Sequence, residues 1–230
     1  MNGFDISPLW ISVKTAVVST ALTFCAGIVT AWLVTSYRGR GKSVIDGILS
    51  LPLVLPPTVV GFFILVVFGK HGPAGKLLDL FDTSVVFTWS ATVIAAAAVS
   101  FPLMYRTSRG AFEQIDASML GAARTLGASE LRVFLRVVVP LAWPGIAAGT
   151  VLSFARALGE FGATLMVAGN IPGKTQTIPV AIFFAAEGGD MRTALIWVIL
   201  IVSISFVVIV AMNHWNGYQR RRIGGKGCGV

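Results

Sequence analysis

Five long apolar runs constrain the fold of this chain more than any other feature of its sequence. They extend over roughly Val13–Thr35, Val44–Phe68, Val85–Tyr105, Val137–Ala157 and Ala194–Met212. A helix needs about 20 apolar residues to cross the hydrocarbon core of a bilayer. Only 12% of the residues are charged, against about 25% in soluble domains. The runs therefore predict an all-α polytopic membrane protein with about five transmembrane helices, and we treat residues 1–230 as one domain.

A sixth apolar run, Ile178–Ala186, is too short to span a bilayer. It contains Pro179 near its start and ends at the segment Glu187-Gly188-Gly189-Asp190. We expect it to form a short re-entrant or interfacial helix, buried against protein where its ends can find hydrogen-bond partners.

The basic residues between the runs predict the orientation in the membrane, because cytoplasmic loops are enriched in Lys and Arg. Alternate loops carry most of them: Arg38, Arg40 and Lys42; Arg106, Arg109, Arg124, Arg132 and Arg136; Arg220, Arg221, Arg222 and Lys226. The opposite loops hold only Lys70, Lys76, Lys174 and Arg192. We therefore expect the N-terminus outside and the C-terminus in the cytoplasm. The dispersion of positive charge over three loops also argues against nucleic acid as a partner.

The second run is interrupted by prolines, at Pro52 and at the Pro56-Pro57 pair. A proline removes a backbone donor and kinks a helix, which a membrane protein tolerates where neighbouring helices or a wet cavity satisfy the freed carbonyls. Two interpretations remain open. The bend serves packing against a neighbour, or Pro56 and Pro57 line a transport pathway or gate.

The loop of about residues 107–136 has the pattern of a lever. Asp116 is a good N-cap for a short helix over Ala117–Leu126, and Gly127 stands where a helix end favours positive φ. Ser129 then begins a second helix that continues into the fourth apolar run. A push on the short helix would be passed to that span. The alternative is an interfacial helix that merely lies on membrane lipid.

The spacing in this loop resembles the cytoplasmic motif of ABC importer permeases, in which Glu-Ala-Ala precedes a glycine by three residues. Here Gly121, Ala122 and Ala123 precede Gly127, and Val137-Val138-Val139-Pro140 follow at the motif's distance. The motif's glutamate is replaced by Gly121, so its role is not carried over. The resemblance implies a docking segment for an ATPase subunit, which comprises Ala122, Ala123, Arg124, Thr125, Leu126, Gly127 and Ala128.

Four further segments resemble the permease subunits of molybdate ABC transporters: Leu51–Pro57, Ser100–Met104, Phe154–Thr164 and Asn170–Gly173. The resemblance implies a bacterial plasma membrane protein, a second copy of the chain, a cytoplasmic ABC ATPase dimer and an extracytoplasmic oxyanion-binding protein. It further implies that the chain is not an enzyme and holds no cofactor, since ATP is bound by the partner. Five helices are few to enclose an anion path, so we expect the path between two copies.

Other transport functions remain as alternatives. Sulfate permeases share the Leu158–Ala163 segment, so a sulfate, thiosulfate or tungstate permease is the nearest alternative. A secondary transporter or channel without an ATPase is disfavoured, because an ion-coupled carrier is expected to place carboxylates mid-span. No carboxylate lies near the centre of any run.

Arg156 and Glu160 stand one helical turn apart at the end of the fourth run. Charges at membrane depth are costly and usually face the bundle interior. We favour a mutual ion pair that pins this helix to a neighbour. The alternative is that Arg156 supplies a positive field for a dianion. Together with Thr164 and the proline pair, these residues form the candidate pathway or gate.

The segment Ala168–Thr175 ends in Gly-Lys-Thr, like a phosphate-binding loop. Such a loop requires a preceding strand and free amides at a helix N-terminus. Here an apolar helix precedes it and Pro172 removes one amide, so we reject ATP binding. The sequence shows no catalytic constellation and no metal-ligand spacing.

Overall fold

The computed structural model describes residues 5–37 and 39–224, and within them it consists of helices, turns and loops without a strand. The predicted all-α class is therefore confirmed. Two of the predicted basic residues, Arg38 and Lys226, lie outside the described residues, and the side chains of Arg220, Arg221 and Arg222 are also outside the description.

The helices follow one another along the chain with short connections. Their bounds are α1 Ser7–Ser36, α2 Lys42–Val54, α3 Pro57–Phe68, α4 Pro73–Asp79, α5 Trp89–Glu113, α6 Ala117–Thr125, α7 Glu130–Val133, a π-helical turn Phe134–Val138, α8 Val139–Leu158, α9 Gly162–Ala168, α10 Ile178–Glu187 and α11 Met191–Gly224.

Three stretches are each long and apolar enough to cross a membrane: Ser7–Ser36, Glu130–Leu158 and Met191–Ala211. A fourth crossing is possible if α2 and α3 act as one span. The remaining predicted span lies in α5, whose 25 residues extend over about 37 Å at 1.5 Å per residue. Helix α5 is less apolar than the others because it is the centre of the bundle, where buried Thr, Ser and Tyr side chains face other helices.

The third span begins at Trp89 and not at the predicted Val85. The reason is a turn that is attached to the neighbouring helix α9. Phe87 has φ +60°, which an L-residue cannot maintain in a right-handed helix. Its backbone N–H donates to the carbonyl of Val167 at 3.0 Å. This hydrogen bond attaches the turn before Trp89 to α9, so the turn cannot join helix α5.

The second apolar run is two helices and not one kinked helix. Helices α2 and α3 are inclined by 113° to each other at Leu55 and Pro56. The Leu55 N–H still donates to the Leu51 carbonyl, but Pro56 and Pro57 supply no donors, so α2 ends there and Pro57 opens α3. At 13 and 12 residues, each half is shorter than the about 20 residues that a straight crossing needs.

The helix that leads from the loop into the fourth span contains a π-helical turn, so it is continuous as predicted but not regular. The Val139 N–H donates to the Phe134 carbonyl, five residues back. Pro140 offers no N–H, and its ring excludes the normal position of the carbonyl four residues earlier. The wider turn accommodates this and keeps Val133 and Val138 on one face, where both are fully buried.

The two ends of the bundle are tied by different loops. At one end the Lys42 ammonium donates to the Thr35 carbonyl at 3.4 Å and lies 3.9 Å from Glu113, which joins the ends of α1, α2 and α5. At the other end the Ser12 hydroxyl accepts a hydrogen bond of 2.7 Å from the Ile178 N–H. The basic loops that flank α2 and α6 therefore meet at the same end.

Helices α3 and α9 approach each other closely at Gly61, and we expect Gly61→Ala to destabilise the protein. A Cβ there would lie 2.8 Å from the Met166 Cβ and 2.9 Å from the Ala163 Cα. Overpacking of this kind costs about 1–3 kcal/mol, so the thermal unfolding midpoint in detergent should fall. Gly47→Ala is the matched control, because a Cβ at Gly47 meets nothing within 4 Å. Equal midpoints for the two variants would contradict the close approach.

Candidate docking and translocation sites

The short helix α6 begins as predicted at Asp116. The Asp116 carboxylate accepts a hydrogen bond of 2.8 Å from the Ser118 N–H, and the Asp116 carbonyl accepts from Met119. The hydrogen bond from Ser118 lowers the pKa of Asp116 below its ordinary value, because it favours the charged form. The cap thus stays ionised and fixes the start of the helix.

The same helix ends in a Schellman motif at Gly127. The Gly127 N–H donates to the Arg124 carbonyl at 2.9 Å, and the Ala128 N–H donates to the Ala123 carbonyl at 3.2 Å. Gly127 has φ +78°, which glycine adopts without the steric cost that a Cβ would add. The predicted glycine turn is confirmed, and it determines the direction in which the chain leaves α6.

The predicted docking segment presents two faces. Ala123 and Ala128 are half-buried and pack, with Leu120, against the apolar core. The outer face is exposed and carries Ala122, Arg124, Thr125 and Leu126. Leu126 is 89% exposed. The outer face is therefore available for a partner, whereas the inner face holds the helix in place.

An exposed ion pair joins α6 to the next helix. The Arg124 Nε donates to the Glu130 Oε1 at 2.7 Å, and its Nη2 donates to Oε2 at 3.1 Å. This two-point contact raises the pKa of Arg124. Because it bridges the Gly127 turn, it limits the angles at which α6 can lie relative to α7.

An aromatic cluster lies where α6 and the π turn before α8 pack against α1 and α5. Trp32 of α1, Phe112 of α5 and Phe134 of the π turn contact one another, with ring centroids 5.1 to 6.2 Å apart. The inner face of α6 packs on the same core. A displacement of α6 would therefore reach α1, α5 and α8 through one set of contacts.

A cleft of about 630 Å³ lies beside the docking helix, between the ends of α5 and α8. Its walls include Arg106, Gln114, Asp116, Met119 and Leu141. Met119 is 49% exposed. The cleft extends the exposed surface of α6 into a concave region that can receive a protruding element of a partner.

Glu160 and Arg156 form an ion pair, with Arg156 Nη1 2.7 Å from Glu160 Oε2. The Glu160 side chain is 1% exposed and that of Arg156 is 30% exposed. Glu160 Oε1 also accepts a hydrogen bond of 2.8 Å from the Ala163 N–H, whereas Oε2 has no aligned hydrogen-bond donor among the described residues. The carboxylate thus links α8 to the first turn of α9, and the guanidinium remains partly open.

Of the predicted gate residues, Pro57 is the one that the bend places next to the start of α9. Pro57 lies against Gly162, where a Cβ would be only 3.2 Å from the Pro57 Cβ. Gly162 opens α9, two residues after Glu160. Pro56 is exposed, whereas Thr164 is 1% exposed and faces the helix packing. The role of these residues in a pathway stays a prediction.

Most backbone amides around the Gly-Lys-Thr segment are engaged in hydrogen bonds within the turn. The N–H groups of Lys174, Thr175 and Gln176 all point to the Ile171 carbonyl, and the Ile171 N–H donates to the Thr175 hydroxyl. The segment is a closed turn after α9, which agrees with the rejection of ATP binding. Within residues 5–37 and 39–224, no group of three His, Cys, Asp or Glu side chains is placed to hold a metal ion.

The sequence interpretation missed a charged cluster between α2 and α5. The Arg109 guanidinium forms ion pairs with Asp46 and Glu113, and the Tyr105 hydroxyl donates to Asp46 at 2.9 Å. Tyr105, Arg109 and Glu113 are spaced by four residues, which places them on one helical face. That spacing, together with the position of Asp46 near the start of an apolar run, was the signal in the sequence that could have indicated this cluster.

The family described as "Binding-protein-dependent transport system inner membrane component" matches residues 23–224. The chain belongs to this family, whose members are permease subunits of ABC importers. It is therefore a multi-pass inner membrane protein. The prediction that it is a transport subunit and not an enzyme is confirmed, because ATP hydrolysis belongs to a separate subunit in this family.

Individual relatives refine this placement. The chain is 46% identical to the Bacillus subtilis protein YvgM over 88% of its own length and 90% of the relative. It is 43% identical to the molybdenum transport system permease protein ModB of Escherichia coli K12, over 94% and 95% of the two chains. The sulfate transport system permease protein CysT of Salmonella typhimurium is 34% identical, over 94% of this chain and 78% of that protein.

A solved structure of a bacterial ABC transporter involved in alginate import has a chain of the same fold. The TM-score is 0.74 at 15% identity, and the match covers 93% of this chain and 79% of the other. At this identity the likeness shows the fold alone.

We expect Gly127→Ala to loosen the end of α6. An L-residue in the left-handed region costs about 1–2 kcal/mol, so the amides at positions 126, 127 and 128 should exchange with solvent about 5- to 30-fold faster. Gly121→Ala is the matched control, because a Cβ at Gly121 meets nothing within 4 Å and lies within the helix. Hydrogen exchange measured by mass spectrometry checks both variants, and unchanged exchange in Gly127→Ala would contradict the turn.

We expect Glu160→Gln to lower the stability of the protein. The amide oxygen keeps the contact with the Ala163 N–H, but Arg156 loses its partner ion. Breaking a buried pair costs about 3–5 kcal/mol, and the loss here should be smaller since Arg156 is partly exposed. The unfolding midpoint in detergent measures it. An unchanged midpoint with impaired uptake would assign the pair to the anion path.

Proposed function

We propose that this chain is the membrane subunit through which molybdate enters the cell at the expense of ATP hydrolysed by a partner. One observation carries the docking part of this proposal. Helix α6 is capped at both ends, has an exposed outer face and rests on the base of a membrane-spanning helix. A surface helix so firmly held is suited to transmit a force.

The orientation we propose places α6 in the cytoplasm, with the N-terminus outside and the C-terminus inside. The positive-inside rule supports it, since the loops at the α6 end hold most of the basic residues. The contact of Lys42 with both Thr35 and Glu113 joins two of these loops at one end of the bundle.

We further propose that two copies of the chain enclose the anion path and that an ATPase dimer binds the two α6 helices. The exposed apolar side chains of the bent pair support a further protein partner in addition to lipid: Ile48, Leu51, Phe62, Phe63 and Val66. ATP binding draws the two α6 helices together, α8 swings about the aromatic cluster, and access changes from one side of the membrane to the other. An extracytoplasmic oxyanion-binding protein delivers the substrate to the outer end.

Molybdate is favoured over sulfate because identity is higher to the Escherichia coli protein named for molybdenum than to the Salmonella typhimurium protein named for sulfate. Both anions are tetrahedral dianions, so both suit the partly open Arg156 guanidinium. Sulfate, thiosulfate and tungstate transport remain outcomes of the test.

Uptake of labelled molybdate into proteoliposomes tests the function. The vesicles contain the permease with its ATPase facing the lumen. ATP is enclosed in the lumen, and the binding protein is added to the outer solution. Uptake should require both ATP and the binding protein, and sulfate should compete only in large excess. Competition by sulfate at equal concentration would favour a sulfate permease, and uptake without ATP would favour a secondary transporter or channel.

A further inference from the structure

The charged cluster between α2 and α5 is formed by Lys42, Asp46, Tyr105, Arg109 and Glu113. Arg109 is its centre. Its Nη1 pairs with Asp46 and donates to the Tyr105 oxygen at 3.3 Å, while its Nε donates to Glu113 at 2.9 Å. One guanidinium thus joins the first turns of α2 to the last turns of α5.

These contacts are the charged and hydrogen-bonded attachment of α2 to α5, beside the packing of Leu49 against the apolar core. No residue of this helix is buried, and the helix contacts mainly α5. The side chains of Arg109 and Asp46 are 19% and 32% exposed, around a recess of about 180 Å³. Partly buried, charge-assisted contacts of this kind are stronger than exposed ion pairs and have a preferred geometry.

Both ends of the cluster lead to mobile parts of the proposed mechanism. Glu113 is the last residue of α5, three residues before the Asp116 cap of the docking helix. On the other side, α2 runs to the 113° bend, where α3 lies against Gly162 and the Glu160 contact. A shift of the α5 end would therefore carry α2 with it as long as Arg109 holds Asp46.

We propose that Arg109 and Asp46 are positioning residues that transmit movement of the docking helix to the bent pair α2–α3. The bend in turn opens or closes the path beside Glu160. This inference rests on the proposed function. It assigns a role in energy coupling to residues that contact neither the ATPase surface of α6 nor the candidate anion site.

The ratio of ATP hydrolysed to molybdate imported tests this role, measured in the reconstituted transporter with its ATPase and binding protein. In Asp46→Asn and in Arg109→Gln we expect the ATPase to remain bound and active while uptake falls. The ratio should rise about fivefold or more, the usual scale of a lost coupling free energy. Arg40→Gln is the matched control, because Arg40 is exposed in the adjoining loop and pairs with no described residue.

A ratio that stays at the wild-type value, or that rises equally in Arg40→Gln, overturns the inference. If Arg109→Gln does not assemble, Arg109→Lys decides by the same ratio, because lysine keeps the charge but lacks the planar fork with which Arg109 contacts Asp46 and Glu113 through different nitrogens. Failure of the wild-type protein to couple uptake to ATP would instead count against the proposed function.

A reversible tether provides a second readout that a merely structural role would not move. In a chain with Cys25→Ser and Cys228→Ser, the double variant Asp46→Cys, Arg109→Cys can be bridged by a short bis-thiosulfonate reagent. Bridging should return the ratio towards the wild-type value, and reduction should raise it again. No change on bridging, once mass spectrometry shows the cross-link, overturns the proposed transmission.

Discussion

The need to satisfy backbone hydrogen bonds inside a bilayer shapes this protein more than any side-chain contact. An unpaired N–H or carbonyl costs several kcal/mol in hydrocarbon, so a long helix is interrupted only where its freed groups find other partners. Two irregularities coincide with prolines. Pro56 and Pro57 end α2 and start α3, and Pro140 accompanies the π-helical turn before α8. These two irregularities lie at the bend between α2 and α3 and at the base of the helix that we propose as a lever.

The docking helix shows how a surface element is held without burying a residue of its own. Asp116 fixes its start, the Gly127 turn fixes its exit, and small inward side chains rest on the aromatic cluster of Trp32, Phe112 and Phe134. Because most restraints are at its ends and on one side, the outer face carries the Arg124–Glu130 ion pair and is otherwise exposed. Packing and the proposed recognition of a partner are thereby divided between opposite faces of a nine-residue helix.

Much of the fold and of the docking loop could be predicted from the sequence, because apolar runs, caps and glycine turns are local signals. The spans, the Asp116 cap and the Gly127 turn depend on residues that are neighbours in the chain. The 113° inclination of α2 and α3 was not readable, since prolines predict a break but not its angle. The Asp46–Arg109 pair was missed because it joins residues far apart in sequence, and the late start of α5 depends on a bond to α9.

The π-helical turn affects the direction in which the docking loop leaves α8. It contains one residue more than a regular α-helical path between Val133 and Val138 would need. Each residue in an α-helix corresponds to a rotation of about 100°. Removing or adding a single residue there would redirect the whole docking loop around the axis of α8 while the membrane-embedded part kept its register. The direction in which the docking loop faces the proposed ATPase partner thus depends on the number of residues in this turn.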